Sequence, residues 1–230
     1  MVCDHAGLIL FQEKYLSLHL LGRAAFPLFC YALAVAFLKA GPDKGLHYGF
    51  HKYGLRLLIF AVIAEPVSLL TRGLPVLNIL FTLCLAAGFA GLSWRMKNWQ
   101  IYICYAVAIA TLLFPPLFEF GWIGVALPSC IMLAMRGEKT AVPFLLLFLF
   151  LMNMQGWTAG ILPLGDMSVE RFLMMAAMTG AAASLVPLAA IMAGSLMPQA
   201  GRLTPKYFLH IFYPAHLALL LLLAKLMNEG

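Results

Sequence analysis

HIFYPAHLALLLLLAKL, residues 210–226, is apolar throughout except for two histidines, a tyrosine hydroxyl and Lys225. As part of a longer segment, 206–227, it reaches the about 20 apolar residues that a helix needs to cross roughly 30 Å of hydrocarbon. Read this way, His216 is costly, because an ionisable group at lipid depth costs a few kcal/mol or more. Pro214 prepares a place for it. Proline has no N–H, so the carbonyl of His210, four residues earlier, loses its helix partner. Freed backbone inside a membrane is tolerated only beside a cavity or another polar group. Tyr213 and His216 are three residues apart and share a helix face, so both are expected to look into that cavity. His210 faces elsewhere.

The rest of the chain has the same character. Of 230 residues, 63% are hydrophobic and 10% charged, and the mean hydropathy is +0.94. A soluble domain is about 45–50% apolar and about 25% charged. No polar stretch is long enough to form a soluble domain, so residues 1–230 read as one integral-membrane domain. The fold expected is all-α, a polytopic transmembrane bundle of about nine helices. The candidate segments are 1–11, 22–39, 53–71, 75–94, 101–117, 120–135, 141–157, 171–196 and 206–227. Short connections rich in Gly, Pro and charge separate them, such as AGPDKG at 40–45 and MRGEKT at 135–140. The first segment spans only about 16 Å at 1.5 Å per residue. Either the true start lies upstream of Met1 or this helix only half-enters the membrane.

Charge orients the bundle. The connections after the second, fourth, sixth and eighth segments hold ten of the fifteen Lys and Arg. The positive-inside rule puts these in the cytoplasm, with the N-terminus cytoplasmic and the C-terminus external. The net charge of +6 is therefore topological. No run of interleaved basic and aromatic residues suggests a nucleic-acid partner. The five cysteines form no CxxC pair, which indicates neither a disulfide framework nor a metal site.

The costly residues share a depth. In this orientation Asp4 and His5 lie about 10 Å below the external end of the first segment, and Arg23 opens the second. Glu65 sits late in the third, Asn78 opens the fourth, and Glu119 lies in the external turn after the fifth. His216 is near the midplane of the last. A bundle could gather them round one polar pocket. A histidine near neutrality can take a proton from a nucleophile or carry an acyl group itself. Asp4 and His5 are adjacent, hence about 100° apart on a helix, and do not face each other. Glu65 or Glu119 is the expected partner of His5. At the cytoplasmic end, AGPDKGLHYGFHKYGLR at 40–56 reads as a basic loop able to attract a phosphorylated cofactor or anionic lipid. His47 and His51 sit on its solvated face. The chain lacks GxSxG, HExxH, GxxxxGK[ST] and GxGxxG, which argues against common soluble hydrolase, zinc-protease and nucleotide-hydrolysing mechanisms.

Six stretches resemble the TraX family, named for the protein that acetylates the F-type conjugative pilin. They are MVCDHAG (1–7), LLGRAAFPLF (20–29), KYGLRLLIFAVIAEP (52–66), LNILFTL (77–83), EFGWIGV (119–125) and HIFYPAHL (210–217). They follow the family's order over almost the full length. The family usually has Asp-Tyr-Gly or similar where this chain has Glu119-Phe120-Gly121, and more helix before the Asp-His pair. The resemblance implies a multi-pass protein of the bacterial inner membrane that transfers an acetyl group from acetyl-CoA. In the pilin case the acceptor is the amino terminus of the processed subunit. It implies that Asp4, His5, Arg23, Glu65, Asn78 and His216 occupy the family's polar motif positions.

The expected activity is thus an acetyl-CoA-dependent membrane N- or O-acetyltransferase, with pilin, peptide, glycan or small amine as acceptor. His5, His216, Asp4 and Arg23 are the expected catalytic set, and Glu65, Asn78, Glu119 and Tyr213 line the pocket. His5, or else His216, would be the base, and the other histidine with Arg23 or Asn78 would stabilise the oxyanion. Lys44, Lys52 and Arg56 are expected to meet the cofactor phosphates, and no metal is expected. A proton-coupled transporter would use the same residues as a relay, but the chain shows no internal repeat of the kind common in transporters. A non-catalytic assembly factor is the third possibility, and it would tolerate loss of both histidines.

Overall fold

A computed structural model of the chain describes residues 2–11, 18, 22, 24–72, 76–114, 117–155, 169, 172–174, 176–180 and 208–229. The regular elements among them are helices: α1 (Val2–Ile9), α2 (Ala25–Ala40), α3 (Pro42–His47), α4 (Leu55–Arg72), α5 (Ile79–Ser93), α6 (Asn98–Ala110), α7 (Gly121–Met135), α8 (Ala141–Gln155) and α9 (Phe208–Glu229). A π-helical stretch, Tyr48–Gly54, joins α3 to α4, and a 3-10 turn, Thr111–Leu113, ends α6. The expected segments that fall on these residues are helical. The segment 171–196 lies mostly outside them.

Helices α5 and α7 form the centre. Their sequences, ILFTLCLAAGFAGLS and GWIGVALPSCIMLAM, have no polar face, and a helix that is apolar all round belongs in the interior. Residues 123–133 of α7 are buried without a break. The two helices pack on each other, α2 and α8 pack on α7, and α4 packs on α5. Helix α9 lies against α4 and also holds α1.

The bundle is apolar outside as well as inside. Val62, Ile63, Val107 and Leu219 are all more than half exposed. The run Pro42–Thr71 is long and apolar enough to cross a membrane, and six shorter apolar helices have 10–17 residues.

The stretch 40–54 differs from the solvated loop expected from its charge. Pro42 opens a helix, where its missing N–H costs nothing, and the chain stays helical through His47 and His51 into α4. The reason is the spacing of Gly45, Gly49 and Gly54, four and then five residues apart. In the π stretch the Leu55 N–H reaches back five residues to the Phe50 carbonyl. That one wider turn returns Gly54 to the face of Gly49. There the backbones touch: a Cβ on Gly49 would lie 2.6 Å from the Ala87 carbonyl oxygen, and one on Gly91 2.7 Å from that of Gly45. Small residues let helices approach this closely in apolar surroundings.

Gly49→Ala is therefore expected to destabilise the bundle by about 1–3 kcal/mol, since backbone rather than a side-chain tip must move. In Gly88→Ala the atoms nearest the new methyl belong to the Phe50 ring, at 3.3 Å, so that variant is the mild control. Thermal unfolding in detergent checks the order. Equal midpoints for the two would show that the close approach contributes nothing.

Candidate functional site

α9 presents its buried stripe at Tyr213, His216, Leu217 and Leu220, the i, i+3, i+4, i+7 spacing of one helix face. His216 is 6% exposed and Tyr213 2%, so both lie on the one buried face of α9. The residue that meets them comes from the other end of the chain. His5 of α1 is 7% exposed, and its Nδ1 lies 2.9 Å from His216 Nε2. The Tyr213 ring packs edge-on to both imidazoles, with centroids 6.1 Å from His5 and 5.7 Å from His216. The second histidine is thus a partner of His5 that sequence reasoning did not foresee beside Glu65 or Glu119.

The polarity of this pair follows from its far side. His216 Nδ1 lies 2.8 Å from the Phe212 carbonyl oxygen, one turn earlier. A carbonyl only accepts, so His216 carries its proton on Nδ1. In neutral His216, Nε2 is then an acceptor, and His5 Nδ1 must donate to it. This places the basic lone pair of neutral His5 on Nε2. One backbone carbonyl thus sets the tautomer of His216, and that tautomer sets the tautomer of His5.

Glu65 and Asn78 form a second group. Glu65 Oε2 accepts from the Asn78 backbone N–H at 3.1 Å and from Asn78 Nδ2 at 2.6 Å. Asn78 Nδ2 also donates to the Ala61 carbonyl at 2.8 Å. Asn78 Oδ1 accepts from Leu80 N–H at 2.9 Å, the bond of a helix N-cap. Asn78 is fully buried. Both hydrogens of its amide are committed, which leaves none for an oxyanion, so its part here is to clamp α4 to α5. The Glu65 carboxylate sits at the N-terminus of α5, where the helix dipole favours a negative charge.

Glu119 lies in the turn before α7, as expected. Its N–H donates to the Leu77 carbonyl at 3.0 Å, Leu77 N–H donates to Leu117 O at 3.1 Å, and the Thr82 hydroxyl donates to the Glu119 carbonyl. Phe120 adopts a left-handed backbone, φ 63°, held by stacking of its ring on Phe26 at 4.2 Å. A bulky residue in this region is strained, and such strain persists only where packing overdetermines it.

Of the basic candidates, Lys44 and Lys52 are exposed and Arg56 is half-buried. They lie on the continuous helical run from Pro42 rather than on a loop. Lys52 Nζ sits 3.9 Å from the centroid of the Tyr48 ring, a cation–π contact. His47 and His51 stack with centroids 5.2 Å apart, and no group of three metal-ligating side chains occurs among the described residues. The side chains of Asp4 and His210, and Arg23 altogether, lie outside the described residues.

The sequence reading missed two features. It assigned the histidines to one pocket but not to each other, because no local pattern links positions so far apart. It also missed an apolar cavity of 760 Å³ between the π stretch and helices α4–α7. The 4-then-5 glycine spacing was the signal for the wall that opens it. Compared with known proteins, the chain matches the family described as TraX protein over residues 1–224. No curated protein and no solved structure matches it.

Proposed function

The chain belongs to the TraX family, and from this premise we propose that it is an integral-membrane acetyltransferase that moves an acetyl group from acetyl-CoA to an acceptor amine or hydroxyl. The observation that carries the reading is the buried pair of His5 and His216, 2.9 Å apart with an assigned proton polarity. The apolar exterior of the bundle supports placement in a membrane, and by the charge bias the orientation is N-terminus inside. The bacterial inner membrane and a pilin amino terminus as acceptor follow the family's name.

His5 Nε2 accepts the proton of the acceptor nitrogen or oxygen as that atom bonds to the thioester carbon. The His5 imidazolium keeps its Nδ1–H on His216 Nε2, so the charge that appears is met by an acceptor already in place. His216, locked by the Phe212 carbonyl, orients the base in the way the third member of a catalytic triad does. The tetrahedral intermediate then breaks its C–S bond, and the leaving thiolate takes the proton back from His5 Nε2. The product is the acetylated acceptor and free CoA. Lys52 and Arg56, one turn apart on the same helix, and Lys44 supply charge for the phosphates of the donor.

Titration of detergent-purified protein with acetyl-CoA and with CoA, by isothermal calorimetry, tests this. Saturable binding of acetyl-CoA is expected, weakened several-fold at least by Lys52→Gln with Lys44→Gln. A monodisperse, folded protein that binds neither ligand would overturn the reading.

A further inference from the structure

The cavity of 760 Å³ lies on elements that carry neither histidine. It runs along the helices, from Gly49 and Leu92 at one end to Thr111 and Trp122 at the other. On α5 the lining extends from Cys84 to Leu92, about 12 Å at 1.5 Å per residue. Its volume falls within the about 300–1,000 Å³ of ordinary ligand sites. Two of the polar groups on its wall are used within the protein: Cys84 Sγ–H donates to the Gly54 carbonyl at 3.2 Å, and the Thr111 hydroxyl to the Ala108 carbonyl at 2.6 Å. The wall therefore suits an occupant with no hydrogen-bonding groups along its length. The rim is apolar too, with Leu55, Ile103 and Val107 all more than half exposed.

The two ends differ in charge. The turn between α5 and α6, which follows Leu92, carries Arg95 and Lys97, both exposed. Neither has an acidic partner among the described residues. At the opposite end the indole of Trp122 lines the cavity and packs edge-on against Phe118 at 5.2 Å. A long apolar slot with cations in the turn that follows one end is complementary to an amphiphile with an anionic head.

We propose that this groove is a binding site for one acyl chain of an anionic phospholipid, with the phosphate at Arg95 and Lys97 and the chain directed toward Trp122. The proposal rests on the membrane reading above. It leaves Lys44, Lys52 and Arg56 to the acyl donor, so lipid and donor occupy different basic groups. Two basic residues near the head are enough for a marked preference for anionic over zwitterionic lipid.

Native mass spectrometry of the full chain, released from mild detergent with added phosphatidylglycerol or phosphatidylcholine of the same chains, tests it. One phosphatidylglycerol adduct is expected, held about tenfold or more tightly than phosphatidylcholine. Val107→Trp, which fills the slot from its exposed rim, should lose the adduct of either lipid. Arg95→Gln with Lys97→Gln should keep an adduct but lose the preference. Equal phosphatidylglycerol binding by Val107→Trp and the parent would overturn the proposal, as would no adduct on protein extracted from the membrane fraction. That last result leaves the acetyltransferase reading standing, because acetyl-CoA titration of the same sample reports on it separately. A chain that partitions to the soluble fraction without detergent would overturn both.

Discussion

His5→Ala is expected to lower acetyl transfer by about 10²–10⁴-fold, the range of general acid–base catalysis, while the protein still inserts and elutes like the parent. His5 sits on the eight-residue helix α1, which is held by α9. Truncating its ring leaves His216 Nε2 without a donor but keeps the bond to Phe212 O. The fold should survive because α5 and α7, the central pair, are untouched. His216 gives a graded series that a structural role would not. His216→Gln keeps a side-chain oxygen able to accept from His5 Nδ1–H, so it should retain part of the activity. His216→Leu removes the acceptor and should fall further, mainly in kcat, with KM for acetyl-CoA little changed. The measurement is transfer of labelled acetyl in proteoliposomes with each variant's folding checked by thermal unfolding. Full activity in a folded His5→Ala protein would sink the assignment of His5 as base. If His216→Gln and His216→Leu were equally active, the orienting role of His216 would fall alone.

Asn78→Asp, although isosteric, is expected to destabilise the protein strongly. The replaced Nδ2 donates to Glu65 Oε2 at 2.6 Å and to Ala61 O at 2.8 Å, in a fully buried position. The new oxygen would face a carboxylate and a carbonyl with no hydrogen to offer either. Breaking one side of a buried charged contact costs about 3–5 kcal/mol. Aspartate is itself a good N-cap, so loss of the cap at α5 cannot explain the damage. Adding Glu65→Gln should restore much of the stability, because the Gln amide can donate to the carboxylate that the first change introduces. A double-mutant cycle on unfolding free energies reads the coupling directly. Additive effects of the two changes would show that Asn78 and Glu65 do not act as a unit.

Much of the fold was legible from residue type alone. Helices α2 and α4–α9 are long apolar runs bounded by Gly, Pro and charge, and such runs have few alternatives. The segment around Asn78 was legible because Asn before an apolar run is a helix start. The stretch 40–54 misled for a definite reason. Its histidines, lysines and tyrosines look solvated, whereas its glycines carry the structural information. Glycine spacing reports on a neighbour's backbone, and a sequence does not say which neighbour that is. The cavity was illegible for the same reason, because it is the space left between several elements, each of ordinary composition.

For the candidate site the division is sharper. Composition and cost marked His5, Glu65, Asn78, Tyr213 and His216, since each is polar in a setting where apolar residues are cheaper. The sequence by itself thus determined the all-helical architecture, the membership of these residues in the polar minority, and the shared face of Tyr213 and His216. Only the tertiary structure decided who meets whom. It set His5 against His216 across the length of the chain, committed Asn78 to Glu65 and Ala61, and through the Phe212 carbonyl fixed which imidazole nitrogen keeps the lone pair. The physical reason is that depth and helix face follow from local periodicity, whereas hydrogen-bond partners are neighbours in space that, for the two histidines, stand at opposite ends of the chain.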